Sequence, residues 1–225
     1  MYRVEDKYMC TERDMLLLQS RVKVIMNTDT YSNNASYRVT SLYFDDYEDS
    51  HLSDAEEGVS HRTKYRIRKY NDSLETIKLE VKYKAYNRVF KKSKTISIDA
   101  AKKLIAGECI DDENMSMDNP VTLFNLAIKQ NCLKPKVIVD YDRCAYTFSP
   151  GNVRITFDRN IRFNNNIYGF LENSSAYTML RDVNRILEIK YDEFMPGFIA
   201  QLMESGNMNQ ISYSKYKLCR EQLEG

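Results

Sequence analysis

The chain has 225 residues, 43% of them hydrophobic and 29% charged, with a formal net charge of +1. That length holds one large or two small domains with a real core, and only seven glycines and four prolines argue against collagen-like or linker-rich disorder. The five cysteines (Cys10, Cys109, Cys132, Cys144 and Cys219) are odd in number and lack C-x-x-C spacing, which argues against a disulfide framework or zinc site and for a reducing compartment.

Tyr2–Met9 reads as a first strand, with Arg3, Glu5 and Lys7 on one face. Thr11 looks like an N-cap, with Asp14 three residues on in place of the usual Glu or Gln. The helix behind it offers Met15, Leu18, Val22, Ile25 and Met26 at helical spacing. Tyr37–Phe44 reads as a strand, and the acidic segment after it as loop or short helix. Strands are predicted at Thr63–Tyr70 and Thr76–Tyr86, joined by the turn sequence Asn71-Asp72-Ser73. Val89–Ile98 follows as a strand. Asp99 is the expected cap of a short helix ended by Gly107. Asn119 as N-cap and Pro120 at the first helical position open a helix to about Cys132. Strands at Lys136–Phe148 and Val153–Arg159 are linked by Ser149-Pro150-Gly151, and Arg185–Tyr191 is the last strand. Pro196 opens a helix to about Ser205, and Ser214 caps a final one. Hairpins mixed with separate helices make the expected class α+β. Seventeen tyrosines and nine phenylalanines suit a β-rich chain.

The strands carry charge in rows. Lys64, Arg66 and Arg68 alternate, as do Lys78, Glu80, Lys82 and Lys84, and again Glu188 and Lys190. Residues two apart share a face. The opposite faces are apolar or aromatic: Tyr65 and Ile67; Ile77, Leu79, Val81 and Tyr83; Leu187, Ile189 and Tyr191. One such strand is read as facing water. Several together point to an antiparallel barrel with a charged interior and helices packed outside, an interior suited to a polyanion. Twelve basic residues against three acids give Arg62–Lys94 a local charge of +9. In a neutral protein this favours a defined anion site over adhesion to nucleic acid, which is not expected as a partner.

Neither G-x-x-x-x-G-K-[ST] nor G-x-G-x-x-G occurs. His51 and His61 are read as ordinary surface residues, and no local signature supports a Ser–His–Asp or Cys–His site. Any metal is expected to be a hard ion on carboxylate and phosphate oxygens. The charged N-terminus is no signal peptide, and no stretch approaches the ~20 apolar residues of a membrane span. A cytoplasmic location is expected, with docking on a membrane-protein partner left open.

Read in order, the charged strands resemble the VTC domain, the catalytic domain of the vacuolar transporter chaperone polyphosphate polymerase, within the triphosphate tunnel (CYTH-like) superfamily. The match runs from about Tyr2 to Leu218 and makes residues 1–225 a single domain. It rests on Arg3-Val-Glu5-Asp-Lys7-Tyr8, Ser41-Leu-Tyr-Phe-Asp45, Lys64-Tyr-Arg66-Ile-Arg68 and Leu79-Glu80-Val-Lys82. It continues through Asp140-Tyr141-Asp-Arg143-Cys-Ala145-Tyr146, Val153-Arg154-Ile-Thr-Phe-Asp158, Leu187-Glu188-Ile-Lys190 and Ser214-Lys215-Tyr216. The resemblance implies a β-barrel tunnel in which ATP gives its γ-phosphate to a growing polyphosphate chain and leaves as ADP. Lys7, Arg66, Lys82, Arg143 and Arg154 then match basic positions that hold phosphates, with Lys64 and Arg68 beside Arg66. Glu188 matches the carboxylate that binds a divalent cation, Mn²⁺ or Mg²⁺. Ser214 and Lys215 match a pair near the tunnel mouth that engages the phosphate chain. Lys215, Arg66 and Lys82 are the implied catalytic cations.

Triphosphate hydrolases of the superfamily carry Glu-x-Glu-x-Lys on the first strand. Here it is Arg3-x-Glu5-x-Lys7, which weakens a two-metal hydrolytic site. A hydrolase or cyclase, or a silent polyphosphate-binding module, remain the alternatives. Glu5 and Glu80 are balanced between metal binding and salt bridging. Tyr8, Tyr43 and Tyr216 are expected in packing, and Lys91, Lys92 and Lys94 on a solvated basic edge. Regulation and export of product are expected to come from other proteins.

Overall fold

The computed structural model describes residues 3–29, 36–86, 88–172, 176–181, 185–204, 208–212 and 214–224. Tyr2 and Ser205, which the sequence reading places at element edges, lie outside them. In chain order the elements are β1 (Arg3–Met9), α1 (Glu12–Ile25), β2 (Asn27–Thr28), β3 (Tyr37–Asp45), α2 (Ser50–Glu56), β4 (His61–Tyr70), β5 (Ser73–Ala85) and β6 (Arg88–Ile96). Next come α3 (Ile98–Ile105), α4 (Pro120–Asn131), β7 (Lys134–Phe148), β8 (Val153–Asn164), β9 (Thr178–Met179), β10 (Ile186–Tyr191), α5 (Gly197–Leu202), β11 (Asn209–Gln210) and α6 (Lys215–Glu224).

Eight strands pair antiparallel in the order β7-β3-β4-β5-β6-β1-β10-β8, and β8 pairs back onto β7. The result is a closed antiparallel barrel with helices packed outside it. Closure leaves none of these eight strands as an open edge.

Local chemistry explains most boundaries. Thr11 and Asp14 form a reciprocal capping box that starts α1. Asn71 and Asp72 both have positive φ, the requirement of the tight turn between β4 and β5. Gly151 has φ +72, and a Cβ there would run into the Phe194 carbonyl, so this turn needs glycine. Ser97 caps α3, accepting from the Ala100 amide at 3.1 Å. The sequence reading put that cap at Asp99, which instead lies in the first turn.

The predicted end of β8 at Arg159 is also corrected, since the strand runs to Asn164. Asn160 has φ 53, and the β7–β8 register slips between Asp140 and Asp142. The extra residue is a bulge, and it swaps the faces of all that follow. Alternation read across it breaks, and the strand seems to stop.

Helices cover the outside of the barrel, among them α3 through Ala101, Leu104 and Ile105. Met15, Leu18 and Val22 of α1 pack with Val153, Ile155, Phe157, Leu187 and Ile189. Val121, Phe124 and Ala127 of α4 pack with Leu42, Phe44, Ile67, Ile77, Leu79 and Val81. A third cluster joins Tyr216 and Cys219 of α6 to Val39, Tyr43, Val137, Val139, Ile161 and Phe163. By alternation these strand residues share the face that carries Ser41, Arg143 and Tyr141, so α6 seals part of the barrel interior with apolar side chains. No helix among the described residues is long and apolar enough to cross a membrane.

Candidate active site

The inner faces of the strands meet in one passage. Its narrower chamber, about 90 Å³, is lined by Lys7, Lys64, Arg66, Arg68, Lys82, Arg143, Glu188, Ser214 and Lys215. These are all the predicted site residues except Arg154. The wider chamber, about 420 Å³, is lined by Arg154 and again by Arg66, Arg68, Lys82 and Arg143. The shared residues make the two chambers parts of one passage. Arg154 stands toward its wide end, where its guanidinium donates to Asp29 at 2.5 Å and to the Tyr37 hydroxyl at 3.2 Å.

Buried carboxylates fix the arginines. Arg66 donates to Glu80 from Nε at 2.7 Å and to the Tyr43 hydroxyl from Nη1 at 2.9 Å. Its Nη2 lies 2.6 Å from the same carboxylate. Arg68 donates to Ser41 Oγ at 2.9 Å and to the Tyr141 hydroxyl at 3.2 Å. Arg143 grips Asp158 with both arms, at 2.6 and 2.7 Å. Lys215 Nζ sits 2.6 Å from Asp158. Such forks orient a planar guanidinium and hold its remaining N–H groups toward the passage. Burial pulls both Arg66 and Arg143 toward deprotonation. Glu80 for the first, and Asp158 for the second, outweigh it and push both above their ordinary range.

Glu80 is therefore a salt-bridge partner, answering Arg66, Arg68 and Lys91. Lys91 stands on the passage side of β6 with its ammonium against Glu80, yet its side chain stays 42% exposed, as expected of a solvated edge. Lys92 and Lys94 do stay on the outer face, paired with Asp118 and Asp112.

Two carboxylates line the passage itself. Glu5 accepts from Lys82 at 2.9 Å and has Lys7 at 2.8 Å and Lys190 at 3.2 Å. Glu188 has Lys190 at 2.9 Å and Arg143 at 3.6 Å. Glu5 and Glu188 stand diagonally across the paired strands β1 and β10, close enough for each charge to bear on the other. Burial and the Glu5 charge both push the Glu188 pKa up, but Lys190, Lys7 and Lys215 leave it below the usual carboxylate value. Two adjoining hard oxygen donors that repel each other fit a hard divalent cation.

The lysines are less settled. Burial lowers Lys82 to about 7, Glu5 opposing it and Lys7 and Lys190 adding to it. Burial, then Lys7, Lys82 and Arg62, hold Lys64 well below the ordinary lysine range. Its Nζ donates to Ser214 Oγ at 2.5 Å.

Several lining residues were missing from the predicted set: Arg62, Lys84, Lys190, Tyr43 and Tyr141. Lys84 and Lys190 sat in the charged rows already recognised, so the parity signal was present. Asp158 carried no such signal, because nothing in its local sequence marks it as the anchor of Arg143. His51 is also corrected. It is not a surface residue, for its Nδ1 lies 2.9 Å from buried Asp45 and its ring meets Tyr65. Asp45, Asp46 and His51 cluster closely enough to hold an ion. Yet Asp45 already accepts from the His51 and Leu52 amides and from the Tyr216 hydroxyl, and Asp46 from the Ser50 amide. The cluster caps α2 and ties it to α6.

Comparison with known proteins agrees with this geometry. A family model described as the VTC domain matches residues 2–224. The fold is similar to that of the PH1819 protein from Pyrococcus horikoshii OT3, with TM-score 0.52, 15% identity, 98% of this chain covered and 99% of that one. It is similar also to a candidate adenylate cyclase from Bacillus halodurans, with TM-score 0.52, 12% identity, 89% of this chain covered and 84% of that one. Comparison with curated proteins returned no match. At those identities the two structures speak for the fold alone. The family match over nearly every residue, on a closed barrel whose inner face is a passage of cations, places this chain in the VTC domain family.

Proposed function

We propose that residues 1–225 form one domain acting as an ATP-dependent polyphosphate polymerase. The observation that supports this best is the convergence of Lys7, Lys64, Arg66, Arg68, Lys82, Arg143 and Lys215 on one passage beside the Glu5–Glu188 pair. A linear polyanion fits a passage lined lengthwise by cations. Phosphoryl transfer asks mainly for positioning and charge neutralisation.

In this reading the triphosphate of ATP lies along Arg66, Arg68, Arg143 and Arg154. The arginines hold phosphate oxygens in forks, and Lys82 and Lys215 act as point charges. A terminal oxygen of the polyphosphate chain attacks the γ-phosphorus. The new O–P bond forms as the bond to ADP breaks. Ser214 and Lys215 hold the chain end. Glu5 and Glu188 would hold Mn²⁺ or Mg²⁺, which supplies charge stabilisation at the transferring phosphoryl group. Arg3 replaces the third carboxylate of a hydrolytic site and pairs with Asp192 at 2.9 Å, which favours transfer over hydrolysis.

The test is incubation of the purified chain with ATP and Mn²⁺, with gel analysis and assays of ADP and free phosphate. Long polyphosphate with matching ADP is expected. Free phosphate alone would make the protein a hydrolase. No turnover with any divalent metal would make it a binding module.

A further inference from the structure

Ser214 Oγ lines the passage directly beside a lysine amine. It lines the narrow chamber with Lys64, Arg66, Arg143 and Lys215. It accepts from Lys64 Nζ at 2.5 Å and from the Lys217 amide at 3.2 Å. The first contact pairs a hydroxyl with an amine, and the second puts the hydroxyl at the N-cap of α6. We propose that Ser214 is a phosphoryl acceptor, taking the γ-phosphoryl group of a nucleoside triphosphate with Lys64 as its general base. This rests on the reading that a nucleoside triphosphate lies in the passage.

The step balances. Ser214 Oγ attacks the γ-phosphorus, the Oγ–P bond forms, and the bond to the bridging oxygen breaks. The nucleoside diphosphate leaves with that electron pair, and the Ser214 proton passes to Lys64 Nζ. A Ser–Lys pair is an established way to activate a serine.

Three features of the surroundings favour it. Lys64 meets the Tyr216 ring of α6 and feels Arg62 on its own strand, Lys82 on β5 and Lys7 and Glu5 on β1, and it shares the chamber with Lys84, Tyr43, Glu188, Lys190 and Lys215. Burial and the neighbouring cations hold its amine well below the ordinary lysine range, which favours the neutral form over the ammonium. The helix N-terminus and the Lys215 ammonium stabilise negative charge developing on Oγ. The phosphoserine product would sit at that same N-terminus amid cations, the placement that favours a phosphorylated side chain.

The experiment is incubation of the full chain with γ-labelled ATP and Mn²⁺, acid precipitation, intact mass measurement and peptide mapping. One acid-stable phosphate on Ser214 is expected. Ser214→Ala and Ser214→Asp should lose it, and Ser214→Asp keeps a capping oxygen so that the fold is retained. Lys64→Arg keeps the cation but cannot take the proton, and labelling should fall by about 100-fold. Absence of acid-stable phosphate on the wild-type chain, phosphate at another residue, or undiminished label in the Ser214 variants would overturn the proposal. Labelled Ser214 without polyphosphate would uphold it and remove the polymerase reading. Polyphosphate from an unlabelled wild-type chain would do the reverse.

Discussion

Asp158 of β8 and Arg143 of β7 face each other in register and share two hydrogen bonds, at 2.6 and 2.7 Å. Asp158 is fully buried and also receives Lys215. Burial pushes its carboxyl up, and Arg143 and Lys215 together overcome this and hold it well below the usual carboxylate range. One side chain thus positions two cations from different elements. Asp158→Asn should cost on the order of 3 kcal/mol of stability, because it strands buried cations. It should also weaken triphosphate binding. Chemical denaturation and a binding titration check both, and an unchanged affinity would mean that Arg143 needs no anchor.

Glu188→Gln keeps the volume but removes a hard anionic donor. Metal-dependent turnover should fall by about 100-fold or more, the scale for loss of one charge-stabilising group. The fold should survive, since Lys190 keeps Glu5 and Arg143 keeps Asp158 as partners. Turnover in Mn²⁺ and a thermal melt read the two effects separately, and near wild-type activity would remove Glu188 from the metal site.

Arg66→Ala and Arg143→Ala should each weaken triphosphate binding by about 2 kcal/mol, the worth of a charged hydrogen-bonding contact. Lys92→Ala should change it little. Lys92 lies outside the passage, donating to the Met117 carbonyl and to Asp118. Equal losses in all three would describe a diffuse basic surface instead of a passage.

Lys82 makes binding depend on pH. With its pKa near 7 in the free protein, it is charged below that pH and increasingly neutral above it. A bound polyanion favours the charged form and raises the pKa, so binding takes up a proton. Affinity for inorganic triphosphate without metal should therefore decline as pH rises from about 7 toward the ordinary lysine value near 10. Calorimetry in buffers of different ionisation enthalpy measures the uptake, and Lys82→Met should flatten the slope. A slope unchanged by that substitution would assign the proton elsewhere.

Phe124 of α4 is fully buried and meets Phe44 and Tyr65 edge-on, at centroid distances of 5.2 and 5.1 Å. Phe124→Ala should destabilise the fold by about 3–5 kcal/mol. A loss below about 1 kcal/mol would mean that α4 is not needed to cover the barrel.

The sequence by itself determined the face of most barrel strands, because side chains alternate with a period of two and the charged rows could only lie opposite the apolar ones. It also determined the caps at Thr11 and Asn119, whose side chains act on their own helices. Lys64, Arg66, Arg68 and Lys82 were legible for the same reason. Tertiary structure decided the rest. The bulge at Asn160 hid the last part of β8, because one extra residue inverts parity. Lys91 keeps the exposure of an edge lysine, and only the curvature of the barrel brings Glu80 within its reach. Asp158 and Lys215 stand 57 positions apart in the chain, and Glu5 and Glu188 still farther. No local pattern encodes those meetings. Barrel closure brings β1 against β10 and β8 against β7, the packing of α6 brings Lys215 to Asp158, and with them come the carboxylate pair and the anchored arginines on which the proposed chemistry depends.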